Sequence, residues 1–180
     1  MSELGPGERS ELLTLARKAL ELFYDGRRKV DYQPVYPRLE APSAVFVSLY
    51  LDNRLRGCVG LLDATRPLFR NVVESTLSAA FRDPRFPPLE SQELSGLLLE
   101  ISVLSPFTRF CAPSEICVGT HGVQIAKGSN RALLLPQVAP RFGWDAVRLL
   151  EETCYKAGLP QGAWMEGALL EKFTAEVFRG

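Results

Sequence analysis

The sequence predicts an α+β protein: a mainly antiparallel sheet flanked by helices. Three observations carry this. Strand-like runs return on themselves through short turns; the strand pairs are separated by single helix-like runs; and no GxGxxG or GxxxxGK[ST] segment follows a strand, as a doubly wound nucleotide fold would require. At 180 residues, with 46% hydrophobic and 23% charged side chains, the chain has the length of one domain, or of one domain with a small lobe, and can bury a core without disulfides or metal.

The first run, residues 10–25, reads as a helix: Leu12, Ala16, Ala19, Leu20 and Phe23 share a stripe and Gly26 stops it. Pro34, Pro37 and Pro42 make 30–42 an extended crossing. Ser43 to Leu51 reads as a strand around Val45, Val47 and Leu49, turning at Asp52-Asn53 into Leu55–Gly60. A second helix follows Thr65, with Pro67 in its first turn and a narrow face of small residues including Thr76, Ala79 and Ala80. Asp83-Pro84-Arg85-Phe86-Pro87-Pro88 ends it, and Leu97 to Leu104 is a strand. Residues 105–117 read as loop. Val118–Ala126 and Ala132–Leu135 form a hairpin turning at Gly128-Ser129-Asn130. Gly143 introduces a helix over 144–157, closed by Gly158 and Pro160, and 172–178 alternates as one final strand.

Lys+Arg 21 balances Asp+Glu 21, and the longest like-charge run is Arg27-Arg28-Lys29. Balanced charge without aromatic-basic interleaving argues against nucleic acid as a partner. The N-terminus lacks signal-peptide character and no apolar run is long enough for a membrane span, so the expectation is a cytoplasmic chain with no membrane partner. Cys58, Cys111, Cys117 and Cys154 are widely spaced and His121 is the only histidine. The expectation is therefore no metal site and no cofactor within one chain, and free thiols.

Leu55-Arg56-Gly57-Cys58-Val59-Gly60 is the most informative stretch. Gly57 and Gly60 leave the backbone beside the thiol open to close approach. On a regular strand Arg56 shares a face with Cys58, where a guanidinium would favour the thiolate and grip a carboxylate or phosphate. The competing reading makes Cys58 a small core residue and the glycines packing devices, and from spacing alone that reading is favoured. His121, beside Gly122, is the one ready proton acceptor near neutral pH; it either pairs with Cys58 or fixes a loop. Glu100 lies either on the wet face of a strand or in a cleft, oriented towards Arg56 or His121. Arg85 is an anion clamp or part of a helix stop, and Gln137, after the break at Pro136, is a cleft donor. Trp144 and Trp164 read as packing residues.

Taken together, the chain resembles the AMME chromosomal region (AMMECR) domain family, whose prokaryotic members are called the A component of the AmmeMemoRadiSam set. The resemblance runs from about residue 10 to the last strand. It rests on Ala41-Pro42 leading into Val45–Leu49, on the 55–60 segment, on Asp83–Leu89 and on Ile101–Pro106. Further blocks are His121-Gly122, Leu133–Ala139, Gly143-Trp144-Asp145 and Lys156–Leu159. Val59 stands where the family signature usually has Ile, and Leu61-Leu62 follow where many members place a Thr. The resemblance implies one AMMECR-type domain over 1–180 with a main lobe and a smaller second lobe, the two intertwined. It implies no established reaction, and a pathway shared with Memo-like and radical-SAM proteins. Two functions follow as expectations. One is a cleft for a small molecule or peptide end, with Cys58 as thiolate nucleophile, His121 as its base and Arg56, Gly57, Gly60, Arg85, Glu100 and Gln137 in binding roles. The other is a non-catalytic adaptor.

Overall fold

The computed structural model describes residues 3–27 and 30–180; Met1-Ser2 and the Arg28-Lys29 part of the basic run lie outside the described residues. The chain divides into two compact units, one formed by residues 1–104 and 176–180, the smaller by 105–175.

In the first unit, helix α1 (Pro6–Tyr24) starts earlier than its apolar stripe indicates, because Pro6 occupies the first helical turn and the Gly5 N–H donates to Glu8 Oε2 at 2.7 Å. Strands β1 (Val45–Leu51) and β2 (Arg54–Leu61) form the expected hairpin, with Asp52 and Asn53 both at positive φ, 49° and 61°. Helix α2 (Leu68–Phe81) follows Pro67, and β3 (Leu97–Leu104) spans the predicted residues. The sheet order is β2-β1-β3-β8, β8 being Ala175–Arg179. Its helix-facing side is aliphatic: Val45, Val47, Leu49, Leu99 and Ile101 are all sealed, packed with Leu12, Leu15 and Leu20 of α1 and Val72 of α2. Burial of each such side chain contributes about 2 kcal/mol.

The smaller unit holds strands β4 (Thr108–Arg109), β5 (Gly122–Lys127), β6 (Asn130–Leu134) and β7 (Leu169–Phe173), ordered β4-β7-β5-β6. Val123, Ile125 and Leu170 form its core with Leu149, Leu150 and Cys154. Three expectations need correction here. Residues 105–117 are not all loop, since Thr108–Arg109 pairs with Lys172 and Glu171. The region of the helix expected at 144–157 holds two: a separate short helix, α3 (Val138–Phe142), is ended by Gly143 at a φ of 66°, and the expected helix is α4 (Ala146–Lys156), introduced not by Gly143 but by Asp145, whose carboxylate accepts the Arg148 N–H. The single last strand is also two, broken at Thr174, and its halves pair in different sheets. Trp144 and Trp164 pack against this core as expected.

Candidate functional site

Gly57 faces α2 so closely that a Cβ there would lie 2.1 Å from the Ala79 carbonyl oxygen, and one on Gly60 would lie 2.3 Å from the Phe46 ring. What the structure shows at both glycines is packing: a backbone approach at one, a ring laid over the chain at the other. Between them the register slips. Leu49 pairs with Gly57 but Tyr50 pairs with Leu55, so Arg56 is the extra residue of a bulge. Regular alternation from Arg56 to Cys58 is lost. The Arg56 guanidinium instead forms a fork on Glu93 (2.7 and 2.9 Å) and donates to the carbonyls of Pro87 (2.7 Å) and Pro88 (3.1 Å). That fork, aided by the Glu90 N–H and the positive charge, holds Glu93 below the usual carboxylate range against the opposing effect of burial.

Cys58 is half-buried. Its Sγ receives the Ser48 hydroxyl at 3.2 Å, Ser48 being its register partner across the hairpin. Its backbone is fastened on the open edge of β2. The Cys58 N–H donates to Asp83 Oδ2 at 2.9 Å, and the Cys58 carbonyl accepts from Arg85 Nη2 at 3.1 Å. Asp83 also takes three bonds from Arg85: N at 3.1 Å, Nε at 2.9 Å and Nη2 at 2.7 Å. Asp83 is buried, and its carboxyl is held far below the ordinary range, chiefly by the Arg85 side chain. Arg85 is shifted up in turn, first by Asp83; the Cys58 thiol is a further electrostatic partner. Asp83-Pro84-Arg85 thus does for one residue what another strand would do, occupying an edge donor and acceptor. The guanidinium that reaches Cys58 is that of Arg85; Arg56 is committed elsewhere.

Along the same face of the sheet, Ser48 sits in register between Cys58 and Glu100. Glu100 is only 5% exposed, so the solvated-strand reading does not hold. Its Oε2 accepts Arg179 Nε at 2.7 Å and Nη2 at 2.6 Å. The Tyr50 hydroxyl stands 3.5 Å from Oε1, and the Arg179 guanidinium lies 5.5 Å from the Tyr50 ring centre. Burial pushes the Tyr50 phenol up, assisted by the Glu100 charge and countered by Arg179. The Arg179 guanidinium is shifted up by its bonds to Glu100. A thiol, an alcohol, a phenol, a carboxylate and a guanidinium therefore line one face. Sequence reading missed Tyr50, Ser48 and Arg179. The available signal was that a carboxylate inside Leu97–Leu104 requires a cation.

His121 and Gln137 belong to the other unit. His121 Nδ1 accepts the Cys117 N–H at 2.9 Å, and its own N–H donates to the Cys117 carbonyl at 2.8 Å. Burial and the Lys172 charge both push its pKa down, so it stands neutral with the proton on Nε2. Gln137 is exposed at the start of α3. Cys111 and Cys117 are exposed free thiols, and Cys154 is buried, which pushes its thiol up. No group of three metal-binding side chains occurs among the described residues. No helix among them is long and apolar enough to cross a membrane.

Two antiparallel sheets with a thiol locked in place by an Asp-Pro-Arg loop describe the class of molecule this chain represents. A family model described as AMMECR1 matches residues 13–178, and the chain belongs to that family. It is 39% identical over 179 residues to Protein PF1979 of Pyrococcus furiosus, covering 93% of this chain and 85% of that protein. It is 39% identical over 184 residues to a protein of Methanococcoides burtonii, covering 98% and 90%. Its fold matches the crystal structure of uncharacterized protein PH0010 from Pyrococcus horikoshii, with a TM-score of 0.87 and 38% identity over 93% of this chain and 89% of that one.

Proposed function

We propose that the Cys58 face of the first sheet binds a small molecule or a peptide end through an anionic group, with Arg85 orienting the anion and Cys58 Sγ as the nucleophile. The observation that supports this is the fastening of Cys58: both backbone polar groups are held by Asp83 and Arg85 while the residue as a whole stays only half-buried, with its sulfur 3.2 Å from the Ser48 hydroxyl. Reactive groups work best when their own position is fixed by surrounding bonds. This reading gives His121 no proton-accepting role, because its Nδ1 already receives the Cys117 N–H.

The test is alkylation of Cys58 in a chain whose other cysteines are replaced by serine. Cys58 should react faster than a free model thiol, Arg85→Gln should slow it, and millimolar carboxylates or phosphate should protect it. A rate equal to that of the model thiol, unaffected by either change, overturns the reading.

A second reading is a non-catalytic adaptor that presents the 83–88 loop to a protein, with Memo-like and radical-SAM proteins as the partners implied by family resemblance. Its support is the rigidity of that loop, tied by Arg56 to the Pro87 and Pro88 carbonyls and by Asp83 to Cys58. Copurification with such a partner that survives Cys58→Ser but not Arg56→Ala selects this reading over the first.

A further inference from the structure

Helix α2 has a second apolar ridge besides its small-residue face. Phe69, Val73, Leu77 and Phe81 recur every fourth residue, a span of about 18 Å at the usual helical rise. Phe69 is nearly sealed, whereas Val73, Leu77 and Phe81 are only partly buried against the core. Two hollows lie along the ridge and share Leu77. One, about 320 Å³, is walled by Val30 and Tyr32 beside Phe69 and Val73. The other, about 330 Å³, is walled by Phe23 beside Phe81. Phe23 stacks on Phe81 at 3.9 Å and stays 38% exposed, so the groove ends on an open aromatic surface.

The charge along this groove is uneven. Arg66, just before α2, and Arg70, in its first turn, are exposed at its Phe69 end, with Arg70 lying over the Phe69 ring. Neither forms a salt bridge among the described residues. The Glu74 carboxylate at mid-groove is neutralised by Arg82 at 3.0 Å; Asp31 lines the same hollow as the two arginines, and the Asp63 carboxylate lies within the field of Arg66. The Phe69 end thus presents two guanidiniums without ion pairs among the described residues, and beyond it runs an apolar ridge beside one closed ion pair. α2 offers no free backbone edge, so an extended peptide has nothing to pair with; a ridge at four-residue spacing packs best against the ridges of another helix.

We propose that this groove docks an amphipathic helix of a protein partner, its apolar ridge lying along Phe69 to Phe81 and its acidic residues meeting Arg66 and Arg70. The site is separate from the Cys58 face and stands or falls independently of it.

The experiment uses the full chain and a labelled, end-capped helical peptide of about 18 residues, long enough to span the ridge. Leucines repeat every fourth residue and glutamates cluster at one end; a control peptide has lysines in their place. Anisotropy should show the acidic peptide binding with a Kd below about 1 mM. It should bind about fivefold tighter than the lysine peptide at low salt, with the gap closing at high salt. Arg66→Glu with Arg70→Glu, both exposed and harmless to folding, should invert the preference. Leu77→Asp should abolish binding of both peptides, with far-UV circular dichroism confirming that it folds. Amide-exchange protection should fall on residues 69–82. No binding at 1 mM (about −4 kcal/mol), equal affinities for the two peptides, or protection elsewhere overturns the proposal. So does concentration-dependent self-association abolished by Leu77→Asp, which would place a second copy of the chain in the groove.

Discussion

Gly57 and Gly60 flank the same thiol, yet substitution should separate them sharply. An alanine Cβ at Gly57 would stand 2.1 Å from the Ala79 carbonyl oxygen and 3.0 Å from its carbon. Normal contact lies near 3.5 Å, so β2 and α2 would have to part by about 1.4 Å. Both sides of the clash are backbone, and neither can rotate away. Lifting α2 would loosen Ser75, Thr76 and Ala79, all of which are sealed, and Gly57→Ala should cost about 3 kcal/mol, the upper part of the overpacking range. At Gly60 the obstacle is the Phe46 ring, 2.3 Å away; a ring can turn, and Gly60→Ala should cost about 1 kcal/mol. Urea unfolding followed by far-UV circular dichroism measures both. With a slope of about 2 kcal/mol/M, the two midpoints should fall about 1 M apart, with the slope itself unchanged. If Gly57→Ala lies within about 1 kcal/mol of the parent chain, or Gly60→Ala is the worse of the two, the backbone-contact account of this signature is wrong.

Further expectations follow from the polar contacts. Asp83→Ala should destabilise by about 3 kcal/mol, because it strips a buried acceptor from the Cys58 N–H and from Arg85. Since the Asp83 carboxyl is held low in the folded chain, its contribution is complete above the unfolded value of about 3.9 and fades only as pH falls towards the folded one; the stability gap to Asp83→Asn should be flat from about pH 7 to 5 and shrink below about 4. Arg56→Ala should cost about 2 kcal/mol and raise amide exchange over residues 87–96, without the change in Cys58 alkylation expected of Arg85→Gln. His121 has its pKa pushed down, so the unfolded chain takes up the proton first as pH falls below about 6.5, and the stability tied to neutral imidazole is lost through the folded value. The Cys117 amide protection factor, measured between pH 8 and 5, should drop with that titration.

The sequence made the helix-facing side of the first sheet legible because its signals are local. Val45, Val47 and Leu49 alternate, Asp52-Asn53 supplies the positive-φ turn, and Leu97 to Leu104 ends where the structure ends it. Boundaries failed where one residue has two competing meanings. Gly143 reads in the sequence as the start of a helix, yet it terminates α3, while Asp145 caps α4. Lys172 to Phe178 keeps one alternation through Thr174, although the chain changes sheets there; periodicity registers side-chain direction and is blind to the partner strand.

The candidate site was harder to read because its bonds join residues far apart in sequence, and because a bulge removed the regularity on which reasoning by spacing depends. Arg56 and Cys58 stand two apart, which on a regular strand puts them on one face; with Arg56 as the extra residue, its guanidinium goes to Glu93 and the Pro87-Pro88 carbonyls, and the cation bound to Cys58, at its carbonyl, is that of Arg85. Glu100 gave the opposite lesson. A carboxylate among leucines demands a cation, and that inference needs no spacing at all; Arg179, close to the C-terminal end of the chain, meets it at 2.6 Å. Glu100→Gln therefore separates the two ways in which this face could be built. If the Glu100–Arg179 pair only closes the sheet, the neutral amide should cost stability and leave Cys58 alkylation unchanged. If the pair sets the field around Tyr50, Ser48 and the sulfur, the alkylation rate and the Tyr50 titration should move together, while the Gly57 contact with Ala79 keeps β2 in place.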